Sequence, residues 1–398
     1  MSTVTPIGST RYDVIVVGAR AAGASTAMLM ARRGLRVLLL DRRRPGTDTL
    51  STHAQMRGAT LQLLRWGLLD RIRRTDAPPI RQTTFHYGDA VEVVELKPSA
   101  GVEALFAPRR TVLDTMLVDA AREAGVDVRF GVTVQDLLRN DDGRVIGVWA
   151  RSRSGAPLRI AAPMTVGADG VRSVVARQAG ATVQRRGANA GAIIYSHWSG
   201  PIADGYEWFY RPGVTAGLIP TNHGETCIWV GAPSDRFMRE LRWDLEAAFH
   251  QVLTEASPEA AARLASLGRR QSRFSGFPGM PGFLRRPCGD GWALVGDASH
   301  FKDPLSAHGI TDALRDAEFL ADAVSDIAHG AEERPTLAAY ALRRDALSLD
   351  LHTATDRLAG YRWDLPQVKA LLFDMNRAMK REIDAIVSLD HHTTTAAA

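Results

Sequence analysis

Tyr12-Asp13-Val14-Ile15-Val16-Val17-Gly18-Ala19-Arg20-Ala21-Ala22-Gly23, continuing through Gly34 to Leu35-Arg36-Val37-Leu38-Leu39-Leu40-Asp41, is the stretch on which the fold turns. Its first run is apolar and β-branched, the pattern of a strand buried on both faces of a parallel sheet. The segment after it carries Ala24, Ala27, Met28 and Ala31 at helical spacing and stops at Gly34, a residue suited to ending a helix. Leu35 to Leu40 reads as a second buried strand, so the three pieces form one βαβ unit, right-handed by default. A strand, a Gly-x-x-x-x-Gly turn and a helix start bring backbone N–H groups and the positive helix end against a diphosphate. Asp41 closes the second strand, where a carboxylate accepts both hydroxyls of an adenosine ribose. An acid there suits FAD or NAD and disfavours NADP. Arg20 stands where the Gly-x-Gly-x-x-Gly pattern has its second glycine. Either the backbone there tolerates a Cβ, with the guanidinium near phosphate or solvent, or the cofactor binds loosely; Ala21, Ala22 and Ala24, which keep the rest of the turn small, favour the first.

Outward from this unit, residues 1–11 read as a flexible leader and Ala59 to Leu69 as a helix. Residues 80–105 alternate apolar and polar (Phe85, Tyr87, Val91, Val93, Leu96), which predicts solvent-edged antiparallel strands. Thr111 to Glu123 reads as a helix, and Val126 to Phe130, Val145 to Ala150, Leu158 to Ala162 and Met164 to Val166 as strands. From about 190 to 233 aromatic residues crowd strand-like segments, and 240–265 is helical. Strand, tight turn and long helix return at 285–330, and the last sixty residues are mostly helical with a polar, Ala-rich tail. The expected architecture is α/β. A discontinuous Rossmann-type domain (12–80, 105–180, 285–330) is interrupted by a β-rich substrate domain (81–104, 181–284) and followed by C-terminal helices and tail (331–398).

Composition excludes several classes. With 45% hydrophobic residues in 398, the chain can bury a large core, and 23% charged residues leave no long disordered region to expect. The net charge of +5 is spread along the chain, and Lys97, Lys302, Lys369 and Lys380 are the only lysines, a pattern of GC-rich coding more than of nucleic-acid binding. Cys227 and Cys288 are far apart and form no CxxC, which excludes a disulfide framework and a cysteine zinc site. No metal site is expected, and His391-His392 belongs to the tail. No signal segment and no apolar run of about eighteen residues is found, so a cytoplasmic protein without a membrane span is expected.

Three further stretches carry a family resemblance. Gly167-Ala168-Asp169-Gly170-Val171-Arg172-Ser173-Val174-Val175-Ala176-Arg177 resembles the Asp-Gly motif of flavin-dependent aromatic hydroxylases. Gly296-Asp297-Ala298-Ser299-His300, with Pro304 and Gly309-Ile310-Thr311-Asp312-Ala313, resembles their Gly-Asp motif, and Arg110-Thr111-Val112-Leu113 their Arg-x-x-Leu. In this order and spacing, over residues 12–330, the chain is similar to FAD-dependent monooxygenases of the para-hydroxybenzoate hydroxylase group, with their glutathione reductase-like FAD domain.

The resemblance implies FAD contacts from Gly18, Ala19, Ala22, Gly23, Asp41, Arg42, Val134 and Gly296. It implies that Asp297 accepts hydrogen bonds from ribityl hydroxyls and that Arg110 reaches the phosphate or ribityl region. The helix beginning near Gly309 and Ile310 would aim free N–H groups at the N1–O2 edge of the ring. Pro304 would stiffen the adjoining loop. Asp169 and Arg177 would form a paired structural device on a stretch that also touches the nicotinamide cofactor. Ser51 to Gly58 would lie beside the flavin. There Arg57 holds a phosphate or the flavin edge or is an exposed helix residue, and His53 is an acid, a base or a cap. His308, directly before Gly309, is a catalytic or substrate-contacting residue or a polar loop residue, and His300 is structural. Tyr195, Trp208, Tyr210 and Trp229 either wall a flat apolar substrate pocket or form an ordinary sheet core.

In activity, the resemblance implies reduction of FAD by NADH or NADPH and a flavin hydroperoxide formed with O₂. An oxygen atom would pass to an aromatic or polyketide-like small molecule in a site that excludes water. No second Rossmann unit is visible, which fits transient docking of the nicotinamide or a separate flavin reductase, in a monomer or homodimer. Tyr206-Glu207-Trp208-Phe209-Tyr210-Arg211-Pro212 partly resembles the Tyr-x-Trp-x-Phe-Pro motif of geranylgeranyl reductases, with one residue inserted before the proline. That leaves reduction of carbon–carbon double bonds as the alternative. Flavin halogenation comes third, since the Trp-x-Trp-x-Ile-Pro stretch is absent, and a flavin-binding protein without turnover is the reading from another class.

Overall fold

The computed structural model describes residues 12–200 and 202–395, with side chains through Leu389; the leader at 1–11 and the side chains of His391 and His392 lie outside the described residues. Val14–Val17, Val37–Asp41, Asp127–Phe130, Met164–Gly167 and Trp292–Leu294 form a parallel sheet, with Cys288–Gly289 added antiparallel at one edge. The first strand lies at its centre, between Met164–Gly167 and Val37–Asp41. Its residues alternate between two layers, which explains its continuous apolarity. Val14 and Val16 pack under the helices Ala21–Arg32, Arg110–Glu123 and Gly309–Ala328, while Ile15 and Val17 pack on a three-stranded meander (Thr133–Arg139, Val145–Arg151, Pro157–Ala161).

Two local differences from the sequence reading have simple causes. The helix expected over 59–69 runs from Arg57 to Arg65 and breaks before a second short helix at Leu69–Arg73. Gly67 takes φ +71 there, and the Leu68 N–H turns back to the Leu63 carbonyl at 2.8 Å. The alternating stretch 80–105 yields one hairpin, Gln82–Tyr87 with Ala90–Glu95, because Gly88 at φ +61 makes the turn.

That hairpin joins Gly191–Ser199, Tyr206–Arg211, Val214–Pro220, Glu225–Pro233 and two short strands in an eight-stranded sheet. One face (Ile194, Phe209, Ala216, Ile228, Val230) is covered by the helices Leu245–Ala256 and Pro258–Leu267. The opposite face carries Tyr195, Tyr206, Trp208, Tyr210, Ile219, Cys227 and Trp229, and meets the C-terminal part of the chain through Leu358, Tyr361, Trp363, Leu371 and Met375.

The C-terminal helices Glu333–Leu358 and Leu365–Thr395 are integral to the molecule. Glu382, 1% exposed, accepts hydrogen bonds from Arg315 Nη1 at 2.6 Å and pairs with His308 Nε2 at 2.5 Å. Arg315 is fully buried and also binds Asp316 and Ser348, and Lys302 pairs with Asp312. Burial pushes the Asp312 carboxyl up, but Lys302 and Arg315 outweigh it and hold the group well below the usual carboxylate range. The network thus clamps the 302–308 loop and the helix Gly309–Ala328 to the last helix. Glu382→Ala strands Arg315 without one of its buried counter-charges, and a loss of about 3–5 kcal/mol of stability is expected; chemical denaturation of the two proteins measures it.

Candidate functional site

The cleft begins at the end of the first strand. Gly18 adopts φ +104, and a Cβ on it would lie 2.4 Å from the Ala168 carbonyl oxygen. A Cβ on Gly23 would lie 1.8 Å from the Gly18 carbonyl oxygen, so only glycine lets the helix Ala21–Arg32 start this close to the turn. Asp41 ties the turn to the second strand: Oδ2 accepts the Ala19 N–H at 2.8 Å and Oδ1 the Arg43 N–H at 2.7 Å. Each oxygen keeps a further lone pair for a ribose hydroxyl. Arg20 has φ −100, which any residue adopts, so the missing glycine costs no strain. Its guanidinium donates to the Asp48 carbonyl at 3.1 Å, and burial together with Arg43 and Arg110 pushes its pKa down to about 10. Ala19, Arg20, Asp41, Arg43, Arg44, Asp114 and Phe130 line the cleft. Crowded arginines beside free helix N–H groups make a site for a diphosphate.

At the far end stand Gly296, Asp297 and the loop 302–309. Gly296 takes φ +57, and a Cβ there would meet Ala22 Cβ at 2.9 Å, so this turn lies directly on the first helix. Asp297 is exposed at its tip yet surrounded by protein atoms. That desolvation, against the pull of Arg110 and Lys302, pushes its carboxyl up to about 6. Gly309 opens a helix of 20 residues, and a Cβ on it would meet no heavy atom within 4 Å. Its N-terminal turn, held from behind by Glu382, therefore opens onto free space.

The segment 51–56 closes the site from the other side. His53 sits at φ +69, a conformation that a β-substituted residue adopts at a cost, and its N–H donates to Ser51 Oγ at 3.1 Å. Its Nε2 lies 2.9 Å from Nε2 of His197 on the strand Gly191–Ser199, and Cys227 Sγ lies within 4.8 Å of both. Burial first, then His197, Arg109 and Arg110, hold His53 well below the usual imidazole range; burial and Arg109 lower His197 to about 4. Both rings are therefore neutral at ordinary pH. Arg109 is itself neutralised by Glu225 at 2.8 Å and Asp48 at 3.2 Å.

These parts suit FAD. The glycine turn is packed to contact, the carboxylates Asp41 and Asp297 stand at the two turns, and among the described residues both amide atoms of Gln55 and Nδ1 of His53 are buried without a partner, free to meet a polar cofactor.

Comparison with known proteins agrees. A model of the family described as FAD binding domain matches residues 11–355. The chain belongs to that family. It is 28% identical to a digeranylgeranylglycerophospholipid reductase of Methanothrix thermoacetophila, over 81% of either chain. It is 31% identical to aklavinone 12-hydroxylase RdmE of Streptomyces purpurascens, over 53% of this chain and 43% of that one. Among solved structures, the fold is shared with PqsL, a probable FAD-dependent monooxygenase from Pseudomonas aeruginosa (TM-score 0.77, 21% identity, 91% of this chain and 100% of that one). It is shared equally with the flavin-dependent brominase Bmp2 (TM-score 0.77, 20% identity, 94% and 99%). The protein is thus an FAD-dependent oxidoreductase of that family. No helix among the described residues is long and apolar enough to cross a membrane.

Several residues singled out in the sequence have protein partners that fix them within this FAD-binding frame. His308 is 1% exposed with its Nε2 paired to Glu382, so it holds the loop before Gly309 in place. Arg57 donates to the Lys97 carbonyl at 2.7 Å and to the Val102 carbonyl at 3.4 Å, pinning the segment 97–102. Asp169 is partnered by Ser173 and the Val174 N–H, not by Arg177, and caps the short helix Val174–Gln178. Val134 is buried with Leu137 and Val148 in the core between sheet and meander. Arg43, not Arg42, lines the cleft. Arg110 grips Asp114 with both its Nε and Nη2 at 2.8–3.1 Å beside Asp297 and Arg20. Pro304 opens a single 3₁₀ turn that ends at Ala307, φ +49, with Ile310 buried behind it.

His197 and Gln55 were not singled out. His197 is two residues from Tyr195 on an alternating strand, so strand parity alone puts it on the aromatic face; Gln55 lies in the segment Ser51 to Gly58 that the resemblance puts beside the flavin, and only its own role went unread.

Asp297→Ala is expected to release FAD or to slow its reduction severely, read by flavin absorbance of the purified protein. Because Asp297 titrates higher folded than unfolded, its stabilising contribution is present below about pH 4 and lost as pH rises through about 6. Apo-protein should therefore gain stability relative to Asp297→Asn as pH falls across that window. Arg20→Ala should weaken FAD binding by about three- to tenfold at low salt, with the difference shrinking as salt is added; fluorescence titration at two ionic strengths tests it.

Proposed function

We propose that the protein is a monooxygenase. It takes electrons from NADH or NADPH, directly or through a separate flavin reductase, and inserts one oxygen atom of O₂ into a flat aromatic or polyketide-like molecule. One observation carries this reading. The loop 302–309, whose end starts the helix opening onto the cleft, also sends Leu305 and Ala307 into the aromatic cluster with Tyr195, Trp208 and Trp229. A cofactor seated on that helix end would share the loop with the apolar face as a common wall.

Bound FAD supplies two-electron redox chemistry and, with O₂, the transferable oxygen. The chain's own part is to hold, orient and dry. Gly18, Gly23, Asp41 and the arginines of the cleft would hold the adenosine and diphosphate, and Asp297 and the N-terminal turn at Gly309 the ribityl chain and ring. The aromatic face would take the substrate. Trp208 and Trp229 lie 6.0 Å apart over Gly217, where a Cβ would come within 2.3 Å of Trp229, so the glycine makes room for both indoles. Tyr195 reaches the Ser51 N–H at 3.3 Å, whereas Tyr210 packs deeper, against Tyr87 and Trp363. In this reading, 12–80, 105–180 and 285–330 serve FAD and 81–104 with 181–284 serve the substrate. Residues 331–398 close the pocket through Tyr361 and Trp363. An apolar, enclosed wall excludes water from the reaction.

A second reading, reduction of a carbon–carbon double bond, is favoured by the reductase from Methanothrix thermoacetophila, which matches over most of both chains. The strand Tyr206–Arg211 favours it too, placing Tyr206 and Trp208 on the pocket face. Incubating the FAD-loaded protein with NADH or NADPH and a panel of hydroxylated aromatics and polyprenyl lipids, followed by mass spectrometry, separates the two. A gain of one oxygen is expected; a gain of two hydrogens establishes the second reading, and a gain of a halogen in the presence of bromide or chloride overturns both.

A further inference from the structure

Three side chains from separate segments converge on one buried point. His197 and Cys227 stand directly opposite each other on the antiparallel strands Gly191–Ser199 and Glu225–Pro233, so both lie on one face of a rigid sheet. His53 reaches them from the segment 51–56, its Nε2 2.9 Å from Nε2 of His197. One ring nitrogen of each histidine and Cys227 Sγ lie within 4.8 Å of one another. His53, His197 and Cys227 are 1%, 3% and 0% exposed. Zinc bonds run about 2.0–2.1 Å to imidazole nitrogen and about 2.3 Å to thiolate, so a tetrahedral ion spaces such donors about 3.4–3.6 Å apart. That spacing lies between the 2.9 Å of the ring pair and the 4.8 Å bound on the set, and modest side-chain rotation reaches it.

The surroundings suit a set of ligands. His197 Nδ1 lies 3.1 Å from Ser272 Oγ, an outer partner that, by accepting the Nδ1 proton, leaves the Nε2 lone pair aimed at His53. His53 Nδ1 is buried with no partner among the described residues, so this ring can carry its proton there and turn its own Nε2 lone pair inward. Two imidazole lone pairs that face each other repel unless a proton or a cation lies between them. The His53 backbone, at φ +69, holds the ring there at a cost. Local charge does not oppose a cation. Arg109 and Arg110 are near, but Arg109 is paired with Asp48 and Glu225 and Arg110 with Asp114, so carboxylates outnumber guanidiniums.

We propose that His53, His197 and Cys227 bind one closed-shell (d10) transition-metal ion, zinc(II) or copper(I), which joins the segment 51–56 to the aromatic sheet. Imidazole and thiolate select such ions over magnesium or calcium. On binding, the Cys227 S–H bond breaks, the sulfur keeps the electron pair for the metal–thiolate bond, and the proton passes to solvent. The His53 proton moves from Nε2 to Nδ1, and no oxidation state changes. This is not the two-cysteine site that the spacing of Cys227 and Cys288 excludes. Its ligands come from positions 53, 197 and 227, so no short motif marks it in the sequence. The inference stands apart from whether the enzyme oxygenates or reduces its substrate.

The test uses the untagged, FAD-loaded protein, stripped of metal with a chelator and checked for retained flavin. It is titrated separately with Zn²⁺, with Cu⁺ under anaerobic reducing conditions, and with Co²⁺ as a spectroscopic stand-in. Competition with a chromophoric chelator reads stoichiometry and affinity. One equivalent of zinc or of copper(I) should bind; binding of one and not the other identifies the ion and supports the site. Co²⁺ should give the intense d–d bands of tetrahedral cobalt, at wavelengths beyond the flavin absorption. Cys227→Ala should keep its FAD, lose those bands and bind the ion more than about a hundredfold more weakly, beyond the range for loss of an outer partner. Ser272→Ala should weaken binding about tenfold. Cys288→Ala, at the edge of the parallel sheet, should bind as wild type does. The ion should raise the melting temperature of wild type and not of Cys227→Ala. His53→Gln should behave like Cys227→Ala and carries the test if that variant does not fold. Less than one equivalent of both ions, binding undiminished in Cys227→Ala or lost in Cys288→Ala, or a cobalt spectrum without tetrahedral bands overturns the proposal.

Discussion

Backbone-to-backbone contact at the first turn is the constraint on which the molecule depends. The Gly18 carbonyl lies where a Cβ of residue 23 would be, and Ala168 lies where a Cβ of residue 18 would be. These contacts bring strand, helix and the neighbouring strand end to their closest approach, and Asp41 locks the result through the Ala19 and Arg43 N–H groups. The cleft is thus a consequence of packing that leaves the turn no alternative conformation. Its cations, Arg20, Arg43 and Arg110, repel one another, and a bound diphosphate relieves that repulsion.

From this fixed point the loop 302–309 is placed by a second constraint, buried charge. Lys302, Asp312, Arg315, Asp316, His308 and Glu382 are all nearly or fully inaccessible, and each is paired. A network of that kind adds little net stability compared with a well-packed apolar core, but it penalises every arrangement that leaves one member unpaired. Its effect is to specify where the last helix sits and, through His308, where the N-terminal turn at Gly309 faces. The C-terminal helices thereby act on the site without touching the cleft.

The aromatic face shows the same division between what fills space and what carries polarity. Gly217 and Gly231 lie beneath Trp208, Trp229 and Tyr361, so bulky rings on neighbouring strands share room that small residues cede. Against so apolar a wall, a pair of neutral histidines is the conspicuous polar feature, and its neutrality follows from burial reinforced by Arg109.

The βαβ unit, the discontinuous parallel sheet, the aromatic sheet and the FAD-binding family were all legible in the sequence. Each rests on local periodicity or on motifs whose residues are near neighbours: Gly18 to Asp41, Gly167 to Arg177, Gly296 to Ala313. The ends of elements were read less well where a single glycine, such as Gly67 or Gly88, decided the turn. Which charged or polar side chain meets which was decided by tertiary structure alone. His308 is tied to Glu382, 74 positions away, and Arg57 to carbonyls at 97 and 102. His53 was joined to His197 across 144 positions. Pairings over such separations leave no periodic trace in a single sequence, because they depend on where the packed layers bring two distant segments together.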